Sequence, residues 1–504
     1  MTRSLIVSMF FFVFGLSHVV GSELISENLD ASTNQDLSMD DLLGQLDDYE
    51  KTHVSDFSLT RGPHDPKIIA LALQTIKEPF WKNTKAPAGR DILYLLPHKI
   101  TAVEYGGVAC NLFFNMTNHM ETNIKNLFEL EATLKQEEFL ALISEFLSSD
   151  MQPWEIDQLL PLFDKINIQE RKAGLLFQSA FIKGPLTVQL NTSIQLSERN
   201  FWLNESDLDE LKELLKNKFN TEGSFDMKEL YKLRIGMGDT RLKIGLNTIN
   251  APSFQLDVGI ESFIPTSRAS YTPKVRTTNP TSFNGDLLQE SFIPMIKGVR
   301  DYLINPTIGI GHWGLGAYIE SKADIFHDLI QLWTRFSYNM FFERTEDRLF
   351  MYNQTLKPED LKLITSGQIK DPTAADKMLI DYVRQYIYPS AFSSNIKPGD
   401  VANIIFAISI DLPKHNRWAV GYDFYAQREE AINGLNNTSA SLQELKVEES
   451  QSPLVQQHKI FTEFLHTKPQ KYGNLAYGLG GDLTVASKGI GEDWTVYFKF
   501  VASY

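Results

Sequence analysis

Long stretches of this sequence alternate apolar and polar residues with a period of two. In Pro185–Ser197, every second residue from Leu186 to Leu196 is apolar except Thr192, and the residues between them are polar. Successive side chains of a β-strand point to opposite faces, so this pattern predicts a strand with one apolar and one polar face. The same pattern recurs in residues 253–264, 332–342, 416–428 and 474–485.

The length of these strands and their aromatic residues decide between two environments. A soluble β-sandwich also alternates, but strands of globular proteins have a mode of about 5–6 residues. The strands here are long enough for the roughly 9–11 residues that cross a membrane at a tilt. Aromatic residues also end several apolar faces, as in the girdles of transmembrane barrels; they are Phe342, Trp418, Trp494 and Tyr504. We therefore expect an all-β protein, a transmembrane antiparallel up-and-down β-barrel.

The end of the chain carries the most specific signal. One face of the last strand consists of Trp494, Val496, Phe498, Phe500, Ala502 and Tyr504, and the other of Thr495, Tyr497, Lys499 and Ser503, with Val501 as an apolar exception. Here the sequence resembles Gram-negative bacterial outer-membrane β-barrel proteins, whose final strand alternates in this way and ends in Phe or Tyr. The resemblance covers residues 101–504 and is to the class, without a particular family. It implies an outer-membrane location and a signal for the barrel-assembly machinery at Trp494, Val496, Phe498, Phe500 and Tyr504.

The alternation places about twelve strands. We predict them at Thr101–Thr117, Ala173–Lys183, Leu186–Glu198, Leu233–Thr248, Pro252–Ile264, Thr307–Glu320, Ile330–Phe342, Val401–Asp411, Lys414–Arg428, Gln457–Thr467, Tyr472–Ser487 and Gly491–Tyr504. An extra pair that uses Asp91–Leu96 would make fourteen. Short and long connections alternate along the chain up to the last hairpin. Because periplasmic turns are short and outer loops long in such barrels, we expect Tyr504 and the N-terminal region on the periplasmic side.

Residues 1–22 resemble a signal peptide. Arg3 precedes an apolar stretch from Leu5 to about Leu16, and Val20-Gly21-Ser22 resembles the small-residue cleavage region that ends a signal peptide. The alternative is an N-terminal membrane anchor, but the stretch is shorter than the ~20 residues of a spanning helix. We expect three parts: a signal peptide (1–22), a periplasmic acidic and helical segment considered as a plug (23–100), and the barrel with long outer loops (101–504).

Composition excludes other classes of protein. The 504 residues carry 48 Lys and Arg against 63 Asp and Glu, a net charge of -15, and no basic cluster predicts nucleic-acid binding. Cys110 is the only cysteine, which rules out an intrachain disulfide and a thiolate metal cluster. We expect no metal and no cofactor.

Charged residues on the polar faces are candidates for lining the lumen. In the hairpin Leu233–Ile264 we expect Leu246 opposite Phe254, which places Lys243 opposite Asp257 and Arg241 diagonal to Glu261. Further candidates are Arg335, Arg417, Asp423, Asp482 and Lys499. These charges either line a hydrated pore or neutralise one another in a filled lumen. Neither positive nor negative charge dominates among these candidates, so they do not predict whether the lumen would select cations or anions.

Helical patterns interrupt the long connections. Apolar residues recur at helical spacing in residues 127–147 and 154–166, and Asp207–Phe219 and Asp376–Tyr388 are further helix candidates. In the N-terminal segment, Glu23–Asp56 is acidic, and Ile68–Trp81 predicts a helix that could plug the barrel from the periplasmic side. Such helices would narrow a pore.

Motifs for enzyme chemistry are missing from the sequence. It contains no GxSxG, HExxH, P-loop or dinucleotide-binding motif. His312 is the one strand histidine in a notable setting, and without a Ser and Asp or Asn partner we interpret it as a packing residue. Asn-x-Ser/Thr triplets occur at Asn115, Asn191, Asn204, Asn353 and Asn436; they would suit a secreted soluble β-rich protein, a second alternative.

Together, these features predict a function at the outer membrane and no enzymatic activity. The leading hypothesis is a porin-like channel or facilitator for small solutes, with the lipid bilayer, the barrel-assembly machinery and the solutes as partners. The alternative is a surface-exposed structural or adhesive barrel with an occluded lumen, in which the outer loops act.

Overall fold

The computed structural model describes residues 90–95, 106–120, 167–202, 231–251, 253–267, 303–306, 308–325, 329–386, 390–436, 438 and 440–503, with residues 67, 70, 74, 206, 207 and 209. All of them belong to one compact unit, residues 61–504. Within these residues, sixteen strands form two antiparallel sheets.

The strands are β1 Gly106–Met120, β2 Asn167–Lys183, β3 Leu186–Trp202, β4 Tyr231–Met237, β5 Thr240–Ala251, β6 Phe254–Ile264, β7 Gly314–Ile325, β8 Ile330–Phe341, β9 Arg344–Phe350, β10 Ser390–Lys397, β11 Val401–Leu412, β12 Asn416–Gln427, β13 Ala431–Leu435, β14 Val455–Gln470, β15 Gly473–Lys488 and β16 Glu492–Ser503. The α-helices are α1 Ile92–Leu95, α2 Lys362–Thr365, α3 Pro372–Tyr386 and α4 Val447–Ser450, and Pro358–Leu361 and Leu442–Glu444 are 3₁₀-helices.

The larger sheet closes on itself. The first strand β1 pairs with the last strand β16, from Gly107 opposite Ser503 to Asn118 opposite Glu492, and neighbouring strands pair all the way round. Strands β4 and β5 both pair with β3 and form one interrupted strand of the wall. The predicted antiparallel barrel of twelve strands is confirmed.

Alternation along each strand separates an apolar exterior from a polar interior. On β11 the outward side chains Ile404, Phe406 and Ile408 are 42, 39 and 43% exposed, whereas the inward Asn403 is 3% exposed. The outward side chains of the other long strands are also mostly apolar. An apolar outer band around a polar lumen is the arrangement of a barrel that spans a bilayer.

The connections sort by length between the two ends of the barrel. Those at residues 184–185, 252–253, 326–329, 413–415 and 471–472 lie at one end, here called the turn end, together with Gly106 and Ser503. The strand ends that flank the long connections, and the short connection at 489–491, lie at the other end, the loop end. This separation agrees with the predicted alternation of short and long connections, and a periplasmic turn end stays a prediction.

Two predicted elements were wrong. Residues of the stretch Asp91–Leu96, considered for an additional strand pair, form the helix α1 instead. The strand predicted at Thr307–Glu320 begins and ends later, at Gly314 and Ile325. Both segments hold short apolar runs whose structure depends on contacts with distant strands, which local alternation does not reveal.

The register predicted for the β5–β6 hairpin was also wrong. Leu246 lies opposite Val258 and not Phe254, and Lys243 lies opposite Glu261 and not Asp257. The strand continues to Ala251, beyond the predicted end at Thr248, so the turn moves toward residues 252–253. A shift between Asn247 and Ile249 absorbs the remaining offset as a bulge.

A second sheet and helix α3 lie at the loop end. Strands β9, β10 and β13 form this sheet in the order β13-β10-β9, and the sequence patterns did not predict it. The predicted helix Asp376–Tyr388 is confirmed as α3, which packs with Leu379 and Tyr382 in an apolar cluster. That cluster includes Met120 and Ile168 from the ends of β1 and β2.

Other predicted helices are described only in part. Three of the predicted segments lie outside the described residues: 127–147, 154–166 and 23–56. In the predicted helix Asp207–Phe219, only Asp207 and Asp209 are described, and both are helical. Of Ile68–Trp81, only Ala70 and Gln74 are described, and Ala70 packs in the loop-end cluster, so the plug stays a prediction. No helix among the described residues is long and apolar enough to cross a membrane.

A charge at the middle of the outer face should destabilise the barrel. Phe406→Arg places a guanidinium in the apolar band, and we expect a loss of about 2–4 kcal/mol in the free energy of unfolding, against about 0–1 kcal/mol near an interface. Leu454→Arg is the matched control, because Leu454 is 42% exposed and lies at the loop end beside β14. Urea unfolding in lipid vesicles measures both, and equal losses would contradict a membrane-facing β11.

Candidate functional site

The helix α1 lies inside the barrel. Arg90, Asp91 and all four α1 residues are at most 6% exposed. The α1 side chains form one cluster with inward residues from β1, β2, β6, β8, β11, β12, β14 and β16 and with Ile490. The inward residues are Phe113, Leu176, Phe263, Phe341, Val401, Tyr425, Val455 and Tyr497. Residues Arg90–Leu95, here called the luminal segment, therefore fill the lumen at this level.

The guanidinium of Arg90 contacts three buried residues of the wall, and a fourth buried residue orients one of them. Its Nη2 donates to Oδ2 of Asp423, and its Nη1 donates to Oε1 of Gln457 at 3.2 Å. Its Cζ lies 4.7 Å from the ring centre of Tyr425. Asn403 donates from Nδ2 to the other oxygen of Asp423 at 2.6 Å. We call Asn403, Asp423, Tyr425 and Gln457 the Arg90 pocket.

The other side of the luminal segment contacts the opposite wall. Tyr94 stacks on Phe263 with ring centres 5.5 Å apart, and the Cζ of Arg241 lies 5.9 Å from the Tyr94 ring. Lys172 donates from Nζ to the carbonyl oxygen of Arg90 at 3.2 Å. The segment therefore bridges the lumen from β12 and β14 to β2, β5 and β6.

The wall beside the Arg90 pocket is acidic. Lys459 pairs with Asp482 and, at 2.8 Å, with Asp493, and all three side chains are buried. Gln457 of the pocket donates to Asp493 as well. With Asp423, this part of the wall holds three carboxylates and one ammonium, so Arg90 is its second cation.

The opposite wall is richer in cations. Lys172 and Arg199 both pair with Glu170, at 3.4 and 3.2 Å. Further round, Arg335 pairs with Glu261 at 2.8 Å. These groups belong to β2, β3, β6 and β8, so the lumen carries opposite excess charge on its two sides.

Arg241 and Lys243 add to the charge of that wall. Both side chains are buried, and neither forms an ion pair with any residue that the structure describes. The Nζ of Lys243 lies 5.6 Å from the ring centre of Tyr318. Cation–π contacts of this kind are attractive when the cation is desolvated, and they hold both cations against aromatic rings.

Several buried polar groups of the wall have no partner in the protein. Asn111, Gln178 and Asn191, on adjacent strands β1, β2 and β3, are at most 3% exposed, and both polar side-chain atoms of each lack a hydrogen-bond partner among the described residues. A buried amide without a partner costs roughly 1–3 kcal/mol. Water or a polar solute in the lumen would satisfy these groups.

The wall is interrupted between β4 and β5 by Gly238 and Asp239. The buried carboxylate of Asp239 accepts from the backbone N–H groups of Ile310 and Gly311, at 2.7 and 2.8 Å, and from the Ser267 hydroxyl at 2.5 Å. The interruption thus ties β5 to the segment that enters β7.

His312 belongs to an ion-pair network between the barrel and the loop-end sheet. Its Nδ1 lies 2.9 Å from the carbonyl oxygen of Phe342, and its Nε2 lies 2.9 Å from Oε1 of Glu346. Arg348 pairs with Glu346 and with Glu430, both at 2.8 Å. Burial alone would raise the pKa of the Glu346 carboxyl, but Arg348 and the hydrogen bond from His312 hold that pKa at about 2.

The predicted lumen residues fall into two groups, and the predicted insertion signal lies elsewhere. Seven of them lie buried on the inner face, namely Arg241, Lys243, Glu261, Arg335, Asp423, Asp482 and Lys499. Asp257 and Arg417 lie near the turn end and are partly exposed, and Arg417 pairs with Asp411 at 2.6 Å. The residues of the predicted insertion signal face outward on β16, where Val496 and Phe500 are exposed; Tyr504 lies outside the described residues.

Sequence reasoning missed the residues that organise the lumen. Arg90 was not assigned to any element and Asp91 was considered only for an extra strand, whereas Lys459 and Asp493 lay within predicted strands but were not among the candidate lumen residues. The spacing of Gln457, Lys459 and Glu463 along β14 puts all three at positions of one parity, which would have placed them on one face.

Neither a family model nor a curated protein matches this sequence. Among solved structures, it is similar to an outer-membrane channel from Pseudomonas putida F1, with a TM-score of 0.40, 7% identity, and coverage of 81% of this chain and 100% of that one. It is also similar to the Ralstonia pickettii toluene transporter TbuX (TM-score 0.32, 7% identity, 80% and 90% covered). A third similar structure is the β-domain of the Bordetella autotransporter Brka, with a TM-score of 0.30, 7% identity, and coverage of 80% of this chain and 100% of that one. The channel and transport functions in these names are properties of those proteins.

The class of the protein follows from its own geometry. A closed antiparallel wall with an apolar exterior, a polar lumen and connections sorted by length defines a transmembrane β-barrel. The fold class predicted from the sequence, a transmembrane antiparallel β-barrel, is confirmed, and its location in an outer membrane stays a prediction.

Acid should loosen the loop-end sheet. A carboxyl whose pKa is lowered on folding stabilises the folded state above its unfolded pKa and loses that contribution as the pH falls through the folded value. For Glu346 this window runs from the ordinary value of 4.5 down to about 2. We expect amide exchange in Arg344–Phe350, corrected for its intrinsic pH dependence, to speed up across this window.

The variant Glu346→Gln separates this network from general acid unfolding. It should show faster exchange in β9 already at pH 7, because Arg348 and His312 lose their shared carboxylate. Glu359→Gln, at an exposed carboxyl of a 3₁₀-helix, is the control. Unchanged exchange in Glu346→Gln would show that the network does not hold the sheet.

Proposed function

We propose that this protein is an outer-membrane channel for small polar solutes, and that the luminal segment closes it at rest. The observation that carries this proposal is the polar wall of the lumen, above all the buried and unpartnered amides of Asn111, Gln178 and Asn191. Such a wall suits a hydrated interior, whereas a filled structural core is normally apolar or fully hydrogen-bonded.

The closing element is separate from the wall. The luminal segment is joined to β1 only through residues 96–105, and it belongs to no strand pair of the barrel. Its polar anchors are side-chain hydrogen bonds such as those of Arg90 and Lys172. Withdrawal of the segment therefore leaves every backbone pair of the wall intact.

A structural or adhesive barrel with a permanently occluded lumen is the second candidate. The observation that favours it is the filling of the lumen by α1 together with the second sheet at the loop end. In both cases the proposed partners include the bilayer and the barrel-assembly machinery, which would read the outward face of β16. We assign no catalytic role, since both ring nitrogens of His312 are engaged by Phe342 and Glu346.

Replacing the luminal helix should open the channel. In a variant with Gly-Ser-Gly-Ser at Ile92–Leu95, the apolar contacts with the wall disappear and the segment loses its packing. We expect single-channel conductance in planar bilayers to rise several-fold over that of the natural protein. Replacing α4, Val447–Ser450, by the same four residues is the matched control and should leave conductance unchanged.

The two candidate functions give different results in this experiment. An opened variant that conducts supports the channel, and a folded variant that shows no conductance steps favours the occluded barrel. Folding is checked independently by the heat-dependent shift of the barrel in SDS gels and by carbonate-resistant association with the envelope. A soluble protein without a shift would overturn the membrane location itself.

A further inference from the structure

The Arg90 pocket has the composition of a guanidinium-binding site. Its carboxylate Asp423 and its amide Gln457 accept from two different nitrogens of one planar group, and the Tyr425 ring lies against that group. A guanidinium offers donors in a fixed fork and stacks on aromatic faces, whereas an ammonium is a compact point charge. The pocket therefore matches the shape of a guanidinium as well as its charge.

The pocket consists of wall residues alone. Asn403 lies on β11, Asp423 and Tyr425 on β12, and Gln457 on β14, and these three strands are consecutive neighbours in the barrel. Asn403 fixes one oxygen of Asp423, while Gln457 is fixed by Asp493. Withdrawal of Arg90 would leave these residues oriented toward the lumen.

Withdrawal would also leave the pocket short of positive charge. Near it, Lys459 is already shared by Asp482 and Asp493, and Oδ2 of Asp482 has no hydrogen-bond partner among the described residues. Asp423 would then be a buried carboxylate without a cation, which is strongly unfavourable. Withdrawal of the segment would therefore cost less if another cation took the place of Arg90.

We propose that the Arg90 pocket binds a guanidinium group of a small solute in place of Arg90, and that this exchange opens the channel. The proposal rests on the channel function for its opening step, but not for binding. A solute that binds only the state with Arg90 withdrawn shifts the population toward that state. Solutes that carry a guanidinium are the class that this site would admit.

Chemical rescue tests binding without reference to transport. The variant Arg90→Ala should unfold at a lower temperature than the natural protein, as judged by the loss of the folded band in SDS gels. Methylguanidinium chloride at millimolar concentration should restore at least half of that decrease, because a ligand of the folded state stabilises it. Methylammonium chloride at equal concentration and ionic strength should restore less.

Two further variants locate the effect. In the double variant Arg90→Ala, Asp423→Asn, methylguanidinium should restore nothing, because the carboxylate is gone. Arg417→Ala removes another inward arginine that also pairs with an aspartate, in a more exposed place, and controls for non-specific stabilisation; methylguanidinium should not rescue it. Equal rescue in all three variants, or none in Arg90→Ala, would overturn the proposed site.

Opening is measured separately on the natural protein in planar bilayers. Methylguanidinium should raise its conductance several-fold over methylammonium, with saturation. Rescue of Arg90→Ala without any conductance, even after the Gly-Ser replacement of α1, would retain the guanidinium site and reject the channel. Conductance of the opened variant without rescue of Arg90→Ala would retain the channel and reject the guanidinium site.

Discussion

The lack of hydrogen-bond partners in a bilayer is the constraint on which this structure depends. Every backbone N–H and C=O in the hydrocarbon must pair within the protein, so a sheet there has to close. The pairing of β1 with β16 supplies that closure, and the alternation of each strand then faces apolar side chains outward and polar ones inward. Many charged side chains are buried as a result, because the polar faces of all the strands point into the same lumen.

Burial makes the distribution of these charges matter. The β12–β16 side of the lumen holds more carboxylates than cations, and on the β2–β8 side Arg241 and Lys243 form no ion pair with any residue that the structure describes. The luminal segment fits this asymmetry, since Arg90 lies against Asp423, while Asp91 interacts electrostatically with Lys172 and Arg241 as well as with the carboxylate of Asp239. The segment that fills the lumen through α1 thus also places a charged residue toward each of its two sides.

The sequence predicted those features that repeat along the chain. The twelve wall strands follow from the two-residue period, as do the inward positions of residues such as Glu261 and Lys499. The register of the β5–β6 hairpin did not follow, because the pattern has the same period at every shift of two residues and only the turn fixes it. Strands β9, β10 and β13 have 7, 8 and 5 residues, too short for alternation to stand out.

The candidate site was less predictable for a different reason. The lining residues follow from local parity, but the role of Arg90 depends on partners 333 and 367 residues away. Nothing near residue 90 indicates that an apolar stretch of four residues will be surrounded by eight different strands. The segment that fills the lumen is determined by contacts with the closed wall, whereas the local sequence pattern predicts only the strands of that wall.

The long reach of the luminal segment has a consequence for the order of assembly. The segment precedes the whole barrel in the chain, yet its anchors lie on β2, β12 and β14, and its apolar ring draws on strands from β1 to β16. Contacts between such distant residues form only after the intervening loops have closed. Ile92, Leu93 and Tyr94 are synthesised before any strand of the barrel, and they therefore stay without their contacts on the wall until the hairpins have paired and the barrel has closed.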